Sequence, residues 1–383
     1  MQKIVILSPA HPLRGGIASS SQRLARALQE AGYEVTIFSF KLQYPSLLFP
    51  GKTQYTDDPA PKDLSIDTQI NSINPLNWLR VGLRLRKMRP DLVIARYWIP
   101  FMGPCMGTIL RLARMNGHTK TISLADNIIP HEKRIGDRQF TQYFTGGVDG
   151  FLVMSKAVGA DVRQFSKSKP IECSPHPIYD NYGAPLERSE ALQHLGLDPS
   201  YQYLLFFGFI REYKGLDLLL NAMADERLRE KKLKLIVAGE YYGNREYYEQ
   251  IIAEQKIEDQ LIMRTEFIAH EAVRYYFSGA DLIVQPYKSA TQSGISQLAY
   301  YFGKPMVVTH VGGLPEIVLH EQTGYVVPVD APAIADAIVD YFEAGRSARM
   351  VQAVAERKHL FSWENMVQAI LKLAQRTKKT NKK

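Results

Sequence analysis

Cysteine is nearly absent: Cys105 and Cys173 are the two in 383 residues, too few for a disulfide framework and without the spacing of a metal or redox motif. Both read as small buried apolar residues of a reducing compartment. No apolar run reaches the length of a membrane-spanning helix, and the opening MQKIVILSPAHP passes into strand and loop without a leader pattern. The expectation is a cytoplasmic protein. A sequence repeat of fixed period is also missing, which excludes a solenoid or propeller. Nucleic-acid-binding motifs are absent, so no nucleic-acid partner is expected.

The composition that remains, 45% hydrophobic and 22% charged, is that of a globular protein long enough for two domains with separate cores. The formal charge of +8 is unevenly placed. Lys372, Arg376, Lys378, Lys379, Lys382 and Lys383 leave only +2 for the rest of the chain. Such a tail is either a solvated terminus or a contact for anionic lipid. A second basic cluster, Arg80, Arg84, Arg86, Lys87 and Arg89, is interleaved with Trp78, Leu79, Leu83, Leu85 and Met88. That mix suits a membrane-surface helix, and equally a helix with one face in a core and a solvated basic face.

KIVILSP, the helical period of GGIASSSQRLARALQEAG and YEVTIFSF form a βαβ unit, which calls for a parallel sheet. DLVIARY, TKTISLA and GFLVMS read as three further strands, while residues 41 to 75 read as an irregular excursion. KPIECSPHPIYDNYGAPLERSE is dense in Pro and Gly and reads as an interdomain connection. From Tyr201 the alternation restarts with YLLFFGF, LKLIVAGE, IMRTEFI, DLIVQPY and PMVVTH. The fold class is therefore α/β, with two Rossmann-like doubly wound domains in series.

In open α/β sheets ligands sit beyond the carboxyl ends of the strands. The first such loop, SPAHPLRGGIASS, has the pair Gly15 and Gly16 ahead of a helix, where the backbone can approach an anion. It is neither a dinucleotide fingerprint nor a P-loop. The loop FFGFIREYKG sets Arg211 and Lys214 beside a helix start, a cradle for a diphosphate. In QPYKSATQSG the hydroxyls of Thr291 and Ser293, the amide of Gln292 and the N–H groups of Gly294 and Ile295 can converge on phosphate or sugar oxygens, or Ser293 can simply cap a helix. Glu316, after the Gly-Gly turn of VVTHVGGLPE, either caps a helix or accepts from sugar hydroxyls.

Phe207-Gly208 with Lys214-Gly215 six residues on, then VAGE, DLIVQPY with a small polar turn, and FGKPMVVTHVGGLPE resemble the second half of family-4 glycosyltransferases. The glycine-pair loop and the tail helices resemble theirs too. The resemblance implies the GT-B fold, two Rossmann-like domains facing each other across a cleft. It divides the chain into an acceptor-binding domain over 1–183, a linker over 184–200, a nucleotide-sugar domain over 201–355 and a C-terminal helix with basic tail over 356–383, packing back on the first domain. It implies retaining, metal-independent transfer from a nucleotide-sugar, UDP- or GDP-linked, to a saccharide or lipid-linked saccharide in surface glycan biosynthesis. No cofactor is implied, and the protein would work in the cytoplasm or peripherally on the inner face of an anionic membrane.

Residue by residue, Arg211 and Lys214 would hold the diphosphate, with Gly208 at the strand end and Gly15 and Gly16 facing the same group. Absence of any Asp-x-Asp agrees with metal independence. The family's two glutamates, eight residues apart, fall near Thr291 and Leu298, and neither carboxylate exists here. Gln292, Ser293, Gly294 and Ile295 would bind the donor sugar with neutral groups, Gln297 the ribose, and Glu316 the sugar hydroxyls. Where the family has a His-Asp pair, this chain has Asp126 and Asn127, with His131 beyond. Asp126 would act as a base or sugar acceptor, His131 would reach the donor sugar, and His11 and Asn127 would line the acceptor side. A nucleotide-sugar epimerase and a non-catalytic nucleotide-sugar-binding partner are the alternatives; the first needs carboxylates close to the sugar, and QPYKSATQSG has none.

Overall fold

A computed structural model describes residues 2–45, 54–56, 59–130, 134–290, 293–343 and 345–377. The chain divides into two compact units, Met1–Pro175 together with Trp363–Lys383, and His176–Ser362.

The first unit is a parallel sheet of seven strands: β1 (Lys3–Leu7), β2 (Glu34–Leu42), β3 (Ser65–Asn71), β4 (Leu92–Tyr97), β5 (Lys120–Ala125), β6 (Gly150–Val153) and β7 (Ile171–Cys173), in the order β3-β2-β1-β4-β5-β6-β7. The order reverses between β1 and β4, so the loops after these strands open the crevice where a ligand is expected. Helices α1 (Gly16–Glu30), α2 (Pro75–Met88), α3 (Gly103–Arg114), α4 (Asp137–Gly146) and α5 (Lys156–Phe165) cover the sheet. Strand alternation sends Val5 and Leu7 to the α3 side and Ile4 and Ile6 to the α1 side, where both faces are buried.

The second unit is a parallel sheet of six: β8 (Gln202–Phe207), β9 (Leu233–Ala238), β10 (Leu261–Arg264), β11 (Leu282–Gln285), β12 (Met306–Thr309) and β13 (Gly324–Val327), in the order β10-β9-β8-β11-β12-β13. Its helices are α6 (Arg188–Leu195), α7 (Leu216–Met223), α8 (Glu226–Arg229), α9 (Arg245–Gln255), α10 (Val273–Gly279), α11 (Gly294–Tyr301), α12 (Leu314–Ile317), α13 (Ala331–Glu343) and α14 (Ser347–Arg357). The final helix, α15 (Trp363–Arg376), belongs to the first unit. It buries Trp363, Met366, Val367, Ile370 and Leu373 in the α1-side core, each fully buried aliphatic contributing about 1.5–3 kcal/mol.

Several expectations are corrected. The units divide at 175–176 and 362–363 instead of at 183 and 355. Residues 184–200 are part of the second unit: α6 buries Ala191 and Leu192, and Arg188 pairs with Asp281 at 2.8 Å. The stretch read as irregular ends in β3, an edge strand whose polar sequence SIDTQIN fully buries only Ile70. Cys105 is buried, but Cys173, at the end of edge strand β7, is exposed.

Candidate active site

The donor-type loops belong to the second unit. After β8, Gly208 turns the chain at φ 94°, with its N–H donating to the Ala238 carbonyl at 2.8 Å. A short 3-10 turn over Glu212–Lys214 follows, and Gly215, at φ 68°, opens α7. A Cβ on Gly215 would stand 2.0 Å from the Pro286 carbonyl oxygen, so only glycine lets the loop after β11 cross here. The crossing is pinned by the Lys288 N–H, which donates to the Tyr213 carbonyl at 2.7 Å.

That geometry folds Lys214 inward. Its ammonium would lie 2.8 Å from a Cβ on Gly208 and is 5.6 Å from the centre of the Tyr287 ring. Burial, with Arg211 adding repulsion, pushes the Lys214 ammonium down to about 8. Among the described residues no carboxylate pairs with Lys214 or with Arg211, whose guanidinium lies 4.8 Å over the Tyr242 ring. The two neighbouring cations, one of them buried, therefore lack a carboxylate counter-charge among the described residues, and an unpaired buried charge is costly.

The loop after β11 reaches the same place. The Ile295 side chain is 3.7 Å from the Gly208 Cβ position, and the Tyr287 hydroxyl is 3.4 Å from Ser293 Oγ. Thr291 and Gln292 lie outside the described residues. Ser293 is the N-cap of α11, and its Oγ accepts the Ile295 N–H at 3.2 Å. That N–H, expected to reach the ligand, is thereby used by the cap. Gln297, one turn into α11, is fully buried, and among the described residues neither its amide oxygen nor its amide nitrogen has a partner. Glu316 is exposed in the first turn of α12, after β12. Gly208, Lys214, Ser293 and Ile295 are thus brought together, with Arg211 and Gly294 on the same loops; among the described residues the Gln297 side-chain amide makes no hydrogen bond to this group.

In the first unit, Gly15 at φ 113° and Gly16 open α1, whose first turn carries no acid and no side-chain cap. The first-turn N–H groups of a helix have no partner within it, and its N-terminus carries a partial positive charge that suits an anion. His11 is on the same loop. His131 lies outside the described residues. Asp126, following β5, is held by Arg96: both carboxylate oxygens accept from the guanidinium at 2.7 Å. Arg96 is 4% exposed and donates as well to Ser20 Oγ, to Ser21 Oγ at 3.1 Å and to the Ile17 carbonyl at 3.3 Å. This hub ties the first turns of α1 to the ends of β4 and β5. Asp126, expected as a base or sugar acceptor, thus stands in a two-point ion pair with Arg96. Asn127 beside it keeps a buried amide oxygen without a partner among the described residues.

Arg96 was not among the expected site residues. The signal available was a charge at the third inward position of β4, in register with Leu92 and Ile94. The aromatic walls Tyr242 and Tyr287 were missed too, since nothing in their local sequence separates them from core tyrosines.

Residues 201–344 match the family model for glycosyl transferases group 1, and residues 14–181 match that for glycosyltransferase family 4. The chain belongs to this glycosyltransferase family. Relatives along most of its length include the D-inositol 3-phosphate glycosyltransferase of Pseudarthrobacter chlorophenolicus, 26% identical over 361 residues, 86% of this chain and 81% of that one. The lipopolysaccharide core biosynthesis mannosyltransferase LpsB of Rhizobium meliloti is 30% identical over 164 residues, 42% of this chain and 46% of that one. Among solved structures, sucrose-phosphate synthase from Thermosynechococcus elongatus superposes with TM-score 0.74 at 20% identity, covering 98% of each chain. Anabaena HepE in complex with UDP gives 0.71 at 17% identity, covering 98% of this chain and 100% of that one. The fold is GT-B, and this glycosyltransferase has, in each unit, the Rossmann-like architecture expected from its sequence. No helix among the described residues is long and apolar enough to cross a membrane.

Proposed function

We propose that this glycosyltransferase takes its sugar from a nucleoside-diphosphate sugar bound at the carboxyl ends of β8, β9 and β11, and passes it with retention to a saccharide or lipid-linked saccharide acceptor. The observation that carries the reading is Lys214, a buried ammonium with no carboxylate partner among the described residues, beside Arg211. A diphosphate supplies the missing charge. As the glycosidic bond breaks, negative charge builds on the leaving diphosphate, and two fixed cations stabilise it where other transferases use a metal ion. The Arg211 fork suits two phosphate oxygens and the Lys214 ammonium a third. Retention and metal independence rest on the family resemblance together with this cation pair.

Support for a nucleoside diphosphate comes from HepE, whose structure holds UDP. Inositol phosphate and lipopolysaccharide core, named in the relatives, are the acceptor chemistries to try first. Calorimetry with UDP, GDP and ADP in the presence of a chelator tests the donor half. One nucleotide binds, and Lys214→Ala or Arg211→Ala weakens it at least about tenfold, as expected for a charge-assisted contact. Unchanged affinity in both variants would remove the diphosphate from this loop. The anomeric configuration of the product, read by NMR, tests retention.

A further inference from the structure

Helix α2 sends three leucines into solvent. Leu76, Leu79 and Leu83 are 77%, 44% and 49% exposed, and Met115, past the end of α3, is 54% exposed. Spacings of three and four residues align the leucines along one outer line. The helix is fixed in this roll: Val81 and Leu85 are buried, and a Cβ on Gly82 would stand 2.7 Å from Leu112 of α3. Arg80 lies one turn on from Leu76, Lys87 one turn on from Leu83, and Arg86 beside it. Among the described residues no carboxylate pairs with these three, whereas Arg84 is taken up by Asp67 at 2.7 Å and by the Phe38 ring. At the end of α2 a shallow depression of about 310 Å³ is lined by Leu83, Arg86, Lys87, Arg89, Met115 and Asn116.

We propose that this face docks on an anionic lipid bilayer, with Leu76, Leu79 and Leu83 entering the headgroup layer and Arg80, Arg86 and Lys87 meeting lipid phosphates. The interleaving of cations with apolar side chains on a single outer face selects this occupant. A nucleic acid would reward the cations but leave the leucines in water, and a second copy in a two-fold contact would set cations against cations. The basic tail does not substitute for it: of its residues that are described, Lys372 and Arg376 are held by Glu172.

Sedimentation with vesicles of phosphatidylcholine, with and without phosphatidylglycerol, tests the proposal on the full chain without using transferase activity. Binding is expected to the anionic vesicles alone and to weaken as salt rises above about 0.1 M. Each cation near the surface is worth about fivefold in partitioning, so R80Q/R86Q/K87Q should lose about a hundredfold. L76S/L79S/L83S should also lose binding while melting like the parent, since all three side chains are exposed. Leu83→Trp should show a blue shift on adding anionic vesicles. Equal binding to both vesicle types, no binding to either, binding indifferent to both triple variants, or a tryptophan that stays in water would each overturn the proposal. So would preferential capture of DNA or RNA over anionic vesicles.

Discussion

Two buried cations stand at the carboxyl ends of parallel strands, and their surroundings are opposite. Arg96, in the first unit, is satisfied by Asp126, two serines and a carbonyl. Lys214, in the second, has an aromatic ring, a glycine and, among the described residues, no acid. Burial alone therefore does not mark a functional charge. A buried ion with all its partners is part of the framework, and one without them is completed by a ligand.

The largest expected effect lies on the satisfied side. Arg96→Ala leaves the Asp126 carboxylate without its cation, at a cost of about 3–5 kcal/mol. All three tryptophans, Trp78, Trp98 and Trp363, fall in the first unit, so tryptophan fluorescence during denaturant unfolding reports that unit. The double variant Arg96→Met, Asp126→Leu should recover most of the loss, because removing both charges ends the imbalance. Parental stability in Arg96→Ala would make the hub decorative and break the contrast.

Lys214 should behave in the reverse sense. Its folded value of about 8 lies below the ordinary 10.5. Between those values the unfolded chain binds more protons, so stability rises with pH there, and the penalty is fully present below about pH 8. Lys214→Met should therefore stabilise the ligand-free protein by roughly 3 kcal/mol at most at neutral pH, the difference closing between pH 8 and 10.5. A bound diphosphate favours the ammonium, so nucleotide binding above about pH 8 should take up a proton, visible as a dependence of binding heat on buffer ionisation enthalpy. Proton uptake that survives in Lys214→Met would assign it to another group.

How far this contrast could be read in advance follows from the same physics. KIVIL, LVIARY and LLFF are legible as strands because helices cover both faces of each sheet and leave long apolar runs. β3 escapes because an edge strand can be polar on most of its length. The pair Arg211 and Lys214 is legible because two cations flank a glycine-rich turn after a strand. That Lys214 is unpaired, and Arg96 paired, is a property of residues far apart in sequence, such as the thirty positions between Arg96 and Asp126. Of the two roles the sequence leaves open for Ser293, the structure shows the cap: Ile295 offers its N–H to Ser293, because a helix start satisfies its own donors first.

A smaller effect sharpens the donor side. Gln297 buries both amide atoms without partners among the described residues. Gln297→Leu should leave the ligand-free protein unchanged or about 1 kcal/mol more stable, because an unpaired amide is exchanged for an apolar group of similar length. If the amide serves the donor's ribose, KM for the donor should rise several-fold with little change in kcat. A stabilised variant with unaltered KM would separate Gln297 from the ribose.

The smallest effect concerns a third grade of cation, paired but exposed. Glu172, at the sheet edge, holds Lys372 at 2.6 Å and Arg376 at 2.7 Å, and those side chains are 64% and 49% exposed. Water and salt screen such pairs, so Glu172→Gln should cost no more than about 1 kcal/mol. Ile370→Ala on the inner face of the same helix should cost about 2–5 kcal/mol by opening a cavity. Both can be read by the same tryptophan signal, since Trp363 begins α15. A Glu172→Gln variant as damaged as Ile370→Ala would mean that charge, not the apolar face, keeps α15 on the first unit. The ranking of cations by burial and partners would then fail at its weakest member.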